Sequence, residues 1–214
     1  MPRIVTRTNC SVLERKTIGK LRQDRYRWPF DLFIQEIRDQ CNMAIIAFDD
    51  LVNIASKKPQ DNDRFWYSIH GFLSATGNVS KLLSFSDFTF RKNSSLFHLK
   101  ERNKSLKNNL RCYCRVSPDS IIMQRKFRNH YEHYDERLFE WAMDDHTPMM
   151  HYRIGTPDML RSQLDLSEDF PIKVLKCFDP TTFSLLFYEE KINIENMYEE
   201  IKRIKKRAET YLKY

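Results

Sequence analysis

One stretch of the chain, residues 117–145, has the sequence SPDSIIMQRKFRNHYEHYDERLFEWAMDD. Its opening Ser117-Pro118-Asp119 predicts a helix start, because serine caps helices, proline suits the first helical position and aspartate suits the positive end of the dipole. Apolar side chains then recur at spacings of three and four, as on the buried side of a helix: Phe127, Tyr131, Tyr134, Leu138 and Trp141. We therefore expect one continuous helix here.

The polar residues of this predicted helix lie away from the apolar stripe. Arg128 and His133 fall on its opposite flanks, about 140° apart, with Asn129, Glu132 and Glu136 between them. This face is turned either to solvent or to a second molecule. In the first case Arg128 forms an ordinary surface ion pair with Glu132, and His133 is an ordinary surface histidine.

An arginine followed by a small polar residue, with a histidine after four intervening positions, resembles the R-x4-6-H signature of the HEPN superfamily. Members of that superfamily are helical bundles and often ribonucleases. Two further segments, 76–83 (TGNVSKLL) and 178–182 (FDPTT), are similar to segments of bacterial HEPN-like proteins. The resemblance covers residues 28–214. It implies a homodimer in which two protomers build one composite cleft.

These residue types suit RNA cleavage without a metal or cofactor, because the 2′-hydroxyl of RNA is a built-in nucleophile. In this interpretation His133 is the general base or acid, Arg128 stabilises the charge on the phosphorane, and Asn129 contacts or orients the phosphate. Pairing two copies of the helix would bring two imidazoles and two guanidinium groups to one phosphate. Four more residues are predicted to contact RNA: Arg125, Lys126, Lys81 and Asn78.

Charge and composition fit this class of protein. The 36 basic and 29 acidic residues give a net charge of +7, which suits a polyanion such as RNA but also an ordinary basic protein. The 41% hydrophobic content excludes a disordered chain, and only four glycines favour helices over a β-sandwich. Five scattered cysteines argue against a disulfide framework, and no apolar run is long enough to span a membrane. We expect a cytoplasmic protein.

The fold class expected is mainly α, an antiparallel helical bundle of HEPN-like type with a small C-terminal β-hairpin and a closing helix. Residues 1–27 form a predicted basic N-terminal arm, and residues 28–145 a four-helix bundle. Residues 146–214 supply a long irregular loop to Phe170, a hairpin around Asp179-Pro180 and a final helix capped by Asn193, packed on the same domain. The third helix, with Ser94 or Ser95 as its predicted cap, carries a predicted basic strip: Lys100, Arg102, Lys104, Lys107 and Arg111.

Apolar periodicity predicts the other helices. The inward stripe of the first helix is Phe30, Ile34, Ile37, Cys41, Ile45, Phe48, Val52 and Ala55, and that of the second is Phe65, Ile69, Phe72, Thr76, Val79 and Leu83. The second helix has a predicted cap cluster at residues 61–63, and Gly71 and Gly77 within it indicate the close approach of a neighbouring helix. The closing helix has the stripe Met197, Ile201, Ile204 and Leu212.

Two other functions are compatible with the same residues. The bundle could bind RNA or a protein partner without cutting, and the resemblance also implies roles as a toxin with a cognate antitoxin or as an antiphage effector. A metal site could be formed from His130, His133, Asp144, Asp145 or His146. That option ranks last, because no His-Glu signature of a metal hydrolase accompanies these residues.

Overall fold

A computed structural model of the chain describes residues 27–57, 61–85, 92, 94–124, 132–143, 149–163, 165, 167, 173–187 and 190–213. This part of the chain is mainly helical, with a small C-terminal sheet and a closing helix, as predicted. It divides into two compact units. One unit is formed by residues before Gln124 together with those after Tyr198, and the other by Gln124–Tyr198. The predicted basic arm lies outside the described residues except for Arg27.

Two long helices dominate the first unit: α1, Arg27–Ala55, and α2, Asn62–Leu83. The predicted cap of α2 is confirmed, because the Arg64 N–H donates to Asp61 Oδ1 at 3.0 Å. The inward stripe of α2 is also confirmed, with all its members buried: Phe65, Ile69, Phe72, Thr76, Val79 and Leu83.

The two helices run antiparallel. The rings of Phe48 and Phe72 lie 5.7 Å apart, whereas Gln40, two turns earlier on α1, bonds Asn78, nearly two turns later on α2. A methyl group at Gly71 would lie 3.4 Å from the Ala47 Cβ, so the predicted close approach of a neighbouring helix is confirmed there.

The inward stripe of α1 follows the prediction at five positions: Phe30, Ile34, Ile37, Cys41 and Phe48. Ala44 is buried where Ile45 was expected, and Ile45 is only partly buried. The stripe departs from the prediction again after Phe48. Leu51 and Ile54 are buried, whereas Val52, which was expected in the core, is 40% exposed. A step of three after Phe48, not four, keeps a side chain on the inward face of a helix with 3.6 residues per turn.

The third helix, α3, spans Lys100–Cys114 and follows a 3-10 turn at Phe97–Leu99. The predicted cap Ser94 serves that turn, because its Oγ accepts from the Leu96 N–H at 3.2 Å. The helix ends at Arg115, whose backbone is left-handed with φ 55° and ψ 39°. The N–H groups of Arg115 and Val116 then bond back to carbonyls of α3.

The second unit contains two helices and four strands in this order: α4 Tyr134–Ala142, β1 Met149–Ile154, α5 Pro157–Gln163, β2 Lys173–Asp179, β3 Ser184–Phe187 and β4 Glu190–Asn193. The sheet order is β1-β2-β3-β4, with β1 parallel to β2 and the other neighbours antiparallel. The predicted hairpin is confirmed as β2 and β3. Asp179 holds its turn by accepting from the Thr181 N–H and from the Thr181 and Thr182 hydroxyls.

The closing helix, α6, spans Ile194–Leu212. Its predicted cap is confirmed, because the Asn196 N–H donates to Asn193 Oδ1 at 2.7 Å. The part of α6 within the first unit packs on α1 and α3. There the Tyr211 ring lies 5.2 Å from Phe30 and 5.3 Å from Tyr113, and its hydroxyl donates to Asp31 at 2.5 Å.

The helix predicted to begin at Ser117 is wrong in its first part. Ser117 forms a turn instead, with its Oγ accepting from the Asp119 N–H at 3.3 Å, and a 3-10 turn follows at Ile121–Met123. Tertiary contacts override the local capping signal, because Ser120 donates to Glu200 of α6 and Ile122 is buried. In the described part of this stretch Glu132 is helical, His133 interrupts the helix, and α4 begins at Tyr134.

The irregular loop predicted at 146–170 is also wrong, because it contains β1 and α5. Thr156 caps α5 by accepting from the Met159 N–H at 3.2 Å, and Pro157 takes the first helical position. The same pattern of hydroxyl residue, proline and aspartate that fails at Ser117 therefore starts a helix here.

The division of the chain differs from the predicted boundary at residue 145. Helix α4, expected as the fourth member of the bundle, belongs to the second unit, and the part of α6 from Glu199 onward joins α1, α2 and α3 in the first. Periodicity along the chain identifies which residues point inward but not which element lies against them.

Candidate functional site

His133 is the one predicted catalytic residue within the part of the chain that the structure describes. It occupies the N-cap position of α4 with non-helical φ −103° and ψ 46°, and its carbonyl accepts from the Arg137 N–H at 3.1 Å. The side chain is 56% exposed, and Nδ1 lies 3.5 Å from Glu136 Oε1. An exposed imidazole beside a carboxylate can exchange protons with a bound molecule, while the carboxylate favours one ring orientation.

The charged side chains that directly follow His133 are acidic. Two acids, Asp135 and Glu136, occupy the first turn of α4 and complement the positive end of its dipole. A phosphate bound near His133 would therefore need positive charge from other residues.

The sheet fixes the backbone next to His133. Tyr134 stacks on Phe187 of β3, with ring centroids 6.0 Å apart and planes inclined by 27°. Trp141, the next-to-last residue of α4, is buried. Both residues belong to the predicted apolar stripe, and Tyr134 was expected to be structural. The stacking of Tyr134 on Phe187 holds the start of α4, and with it the backbone of His133, against the sheet.

Lys176 is a candidate functional residue that sequence reasoning missed. It lies on β2 and is buried, with Nζ 4.1 Å from the Tyr134 ring centroid and 5.9 Å from that of Phe187. Burial lowers the pKa of its ammonium to about 8, so the side chain releases its proton nearer to neutral pH than an exposed lysine does. The available signal was a lysine inside the apolar run 174–178, where a charge needs a partner.

Four predicted site residues lie outside the described residues: Arg125, Lys126, Arg128 and Asn129. Their roles stay predictions. The expected separation of about 140° between Arg128 and His133 likewise stays a prediction.

The two predicted RNA contacts on α2 lie in the first unit. The Asn78 amide donates to Gln40 on α1 at 3.1 Å, and Gln40 in turn donates to Glu36 at 2.8 Å. This network joins two helices, so Asn78 has a structural task. Lys81 is exposed in the last turn of α2, where a positive charge is favourable, and its role toward RNA stays a prediction.

One residue of the predicted basic strip on α3 supports another helix. The Lys107 ammonium donates to the backbone oxygens of Lys81 at 2.6 Å and Ser84 at 2.9 Å. These carbonyls lie at the end of α2, where backbone oxygens have no donor within the helix. Lys107 thus closes the end of α2 from a neighbouring helix.

Among the described residues, no group of three or more His, Cys, Asp or Glu side chains is placed to hold a metal ion. Of the proposed ligands, His130, Asp144, Asp145 and His146 lie outside these residues. In the same described part, no helix combines the length and the apolar character needed to cross a membrane.

No family model matches the chain, and neither do curated proteins or solved structures. The resemblance to the HEPN superfamily therefore stands on the short motifs around Arg128, Asn78 and Asp179.

Proposed function

We propose that the protein is a metal-independent endoribonuclease of HEPN type. The observation that carries the proposal is the spacing of Arg128 and His133, together with the exposed imidazole of His133 beside Glu136. The net charge of +7 supports a polyanionic substrate.

The reaction is a transfer within the RNA backbone. A base removes the proton of the 2′-hydroxyl, whose oxygen attacks the adjacent phosphorus, and an acid protonates the 5′-oxygen as it leaves. The products are a 2′,3′-cyclic phosphate and a free 5′-hydroxyl. His133 is the base or the acid, Arg128 stabilises the added negative charge, and Asn129 holds a phosphate oxygen.

A composite site follows from the two proton transfers. One protomer offers one His133, whereas the reaction uses both a base and an acid, so a second copy would complete the site. Arg125, Lys126, Lys81 and Asn78 are the proposed contacts to the RNA backbone. A cognate antitoxin, which would mask such a nuclease, is a further proposed partner.

The test is cleavage of total RNA in EDTA by the full chain and two histidine variants. We expect His133→Ala to lose activity by about 10²–10⁴-fold, the usual contribution of acid-base catalysis. His98→Ala is the matched control, because His98 is also exposed but lies in the 3-10 turn of the first unit. The variant His98→Ala should cut RNA at the same rate as the parent. The products of both proteins should carry cyclic-phosphate ends.

Equal cleavage by the parent and His133→Ala would contradict the proposal, as would activity that EDTA abolishes. If neither protein cuts but both bind RNA, the protein is a non-catalytic RNA-binding module and Arg128 is only a phosphate contact. Binding that weakens steeply with salt would support that second function.

A further inference from the structure

Helix α1 carries a second apolar stripe on the side opposite its buried face. We call it the outer stripe, and its members have these exposed fractions: Trp28 72%, Leu32 47%, Met43 55% and Ile46 64%. On an α-helix these four positions fall within an arc of roughly 60° and extend along about 27 Å. Large exposed apolar patches on a protein surface commonly mark a site of association.

The outer stripe is complementary to itself. Two copies of α1 can lie antiparallel with their outer stripes in contact and the two-fold axis at the level of position 37 along the helix. Trp28 of each copy then faces Ile46 of the other. In the same register Leu32 of each copy lies opposite position 42 of the other, next to Met43. A two-fold axis makes each contact occur twice, so a single stripe supplies both halves of an isologous interface.

The polar residues within the stripe fit the same register. Gln35 of one copy lies opposite Asp39 of the other, which sets an amide donor against a carboxylate acceptor. Arg38 also bonds the Asp39 carboxylate, through Nε at 2.9 Å and through a terminal nitrogen at 2.7 Å. The two acids near the axis are therefore each accompanied by a positive charge, which offsets their repulsion.

We propose that the outer stripe of α1 is a homodimer interface between two antiparallel copies of the helix. Trp28 and Met43 are of the types enriched at interface cores, and the contact would carry one apolar patch on each side of the polar pairs at the axis. A stable dimer buries about 800 Å² on each partner, so residues flanking the stripe would complete the contact. This interface lies in the first unit and does not depend on RNA cleavage.

The experiment measures sedimentation of the full chain without RNA, at micromolar concentrations, for the parent and three variants. Leu32→Glu and Met43→Lys each place one charge in the stripe, and Tyr67→Glu is the control on α2, where Tyr67 is 78% exposed. We expect dimers for the parent and the control and monomers for both stripe variants. A buried unpaired charge should raise the dissociation constant by more than about 100-fold.

The decisive sample is an equimolar mixture of the two stripe variants. The introduced carboxylate at position 32 then meets the introduced ammonium at position 43, so the mixture should dimerise more strongly than either variant alone. Circular dichroism should show the same helix content in all samples.

A monomeric parent would overturn the proposal, as would a dimer that neither stripe charge weakens or a mixture that does not recover. A dimer that survives both stripe variants but is lost in Arg128→Ala would place the contact at the proposed nuclease cleft. That result would overturn the α1 interface and leave the proposed function standing. RNA cleavage by a monomeric stripe variant, with a dimeric parent, would leave the α1 interface standing and overturn the composite cleft of the proposed function.

Discussion

Lys176 occupies a place where a lysine is costly, and its environment explains how it is tolerated. An ammonium loses hydration when it is buried, and the faces of Tyr134 and Phe187 return part of that energy through cation–π attraction. Among the described residues it has no hydrogen-bonding or ionic partner. The charged form is therefore the less favoured one in the folded protein.

We expect the free energy of unfolding to rise with pH between about 8 and 10, relative to Lys176→Met. The pKa is about 8 when folded against an ordinary value of 10.5, so in this window the unfolded chain binds more protons and deprotonation favours folding. Below pH 8 both states are protonated and the difference between parent and variant is constant. Burial raises the pKa of Tyr134, which keeps its titration above the window.

Urea unfolding of both proteins at several pH values from 7 to 10 provides the measurement. Lys191→Met is the matched control, because Lys191 is an exposed lysine on β4, and it should not change the pH dependence. If the free energy of unfolding changes with pH in the same way for the parent and Lys176→Met, the ammonium is not destabilised by folding.

At the scale of single elements, Lys107 links the stability of α2 to a residue on α3. Its two bonds reach carbonyls that the end of α2 cannot satisfy internally. We expect Lys107→Met to lower the free energy of unfolding by about 1–2 kcal/mol, since the apolar stem is kept and the charged hydrogen bonds are lost.

Chemical denaturation of Lys107→Met beside Lys104→Met provides the comparison. Lys104 is an exposed lysine on the same helix, and its replacement should change the stability by less than about 0.5 kcal/mol. Equal losses of unfolding free energy in the two variants would mean that Lys107 acts through the overall charge of α3 and not through its bonds to the end of α2.

The elements show which parts of the fold could be predicted from the chain. The stripes, together with the caps at Asp61 and Asn193, predicted α1, α2 and α6, because long amphipathic patterns leave little choice of structure. The start at Ser117 failed and the start at Thr156 was missed, although both carry the same local signal. After Ser117, the bond from Ser120 to the distant Glu200 and the burial of Ile122 prevent the helix from starting. No local pattern contains those contacts.

The candidate site could be predicted in its residue types but not in its geometry. The motif singled out His133, and the structure places it at a helix end and not within a helix. Lys176 and Glu136 come near this region through the sheet and the turn of α4, which residue spacing did not reveal. The structural task of Asn78 depends on Gln40, a residue 38 positions away.

At the scale of the whole molecule, the first unit is closed by residues far apart in the sequence. Tyr211, near the end of α6, lies between Phe30 and Tyr113 and bonds Asp31. We expect Tyr211→Phe to cost about 1 kcal/mol, the value of one hydrogen bond, and Tyr211→Ala roughly 2–3 kcal/mol through lost packing as well.

Thermal and urea unfolding of the two variants would measure these costs. Tyr67→Phe and Tyr67→Ala form a control pair, because Tyr67 is 78% exposed and its replacement should change stability little. If Tyr211→Ala is no more harmful than Tyr67→Ala, α6 does not close the first unit through this cluster.

The position of α6 also has a consequence for how the protein is made. About 75 residues of the second unit separate the two parts of the first unit along the chain. At 5–20 residues per second, a ribosome needs about 4–15 s to add them. During that interval the newly made α1 and α3 lack the helix that covers Phe30 and Tyr113. The nascent chain therefore offers a binding surface to chaperones that the finished protein no longer has.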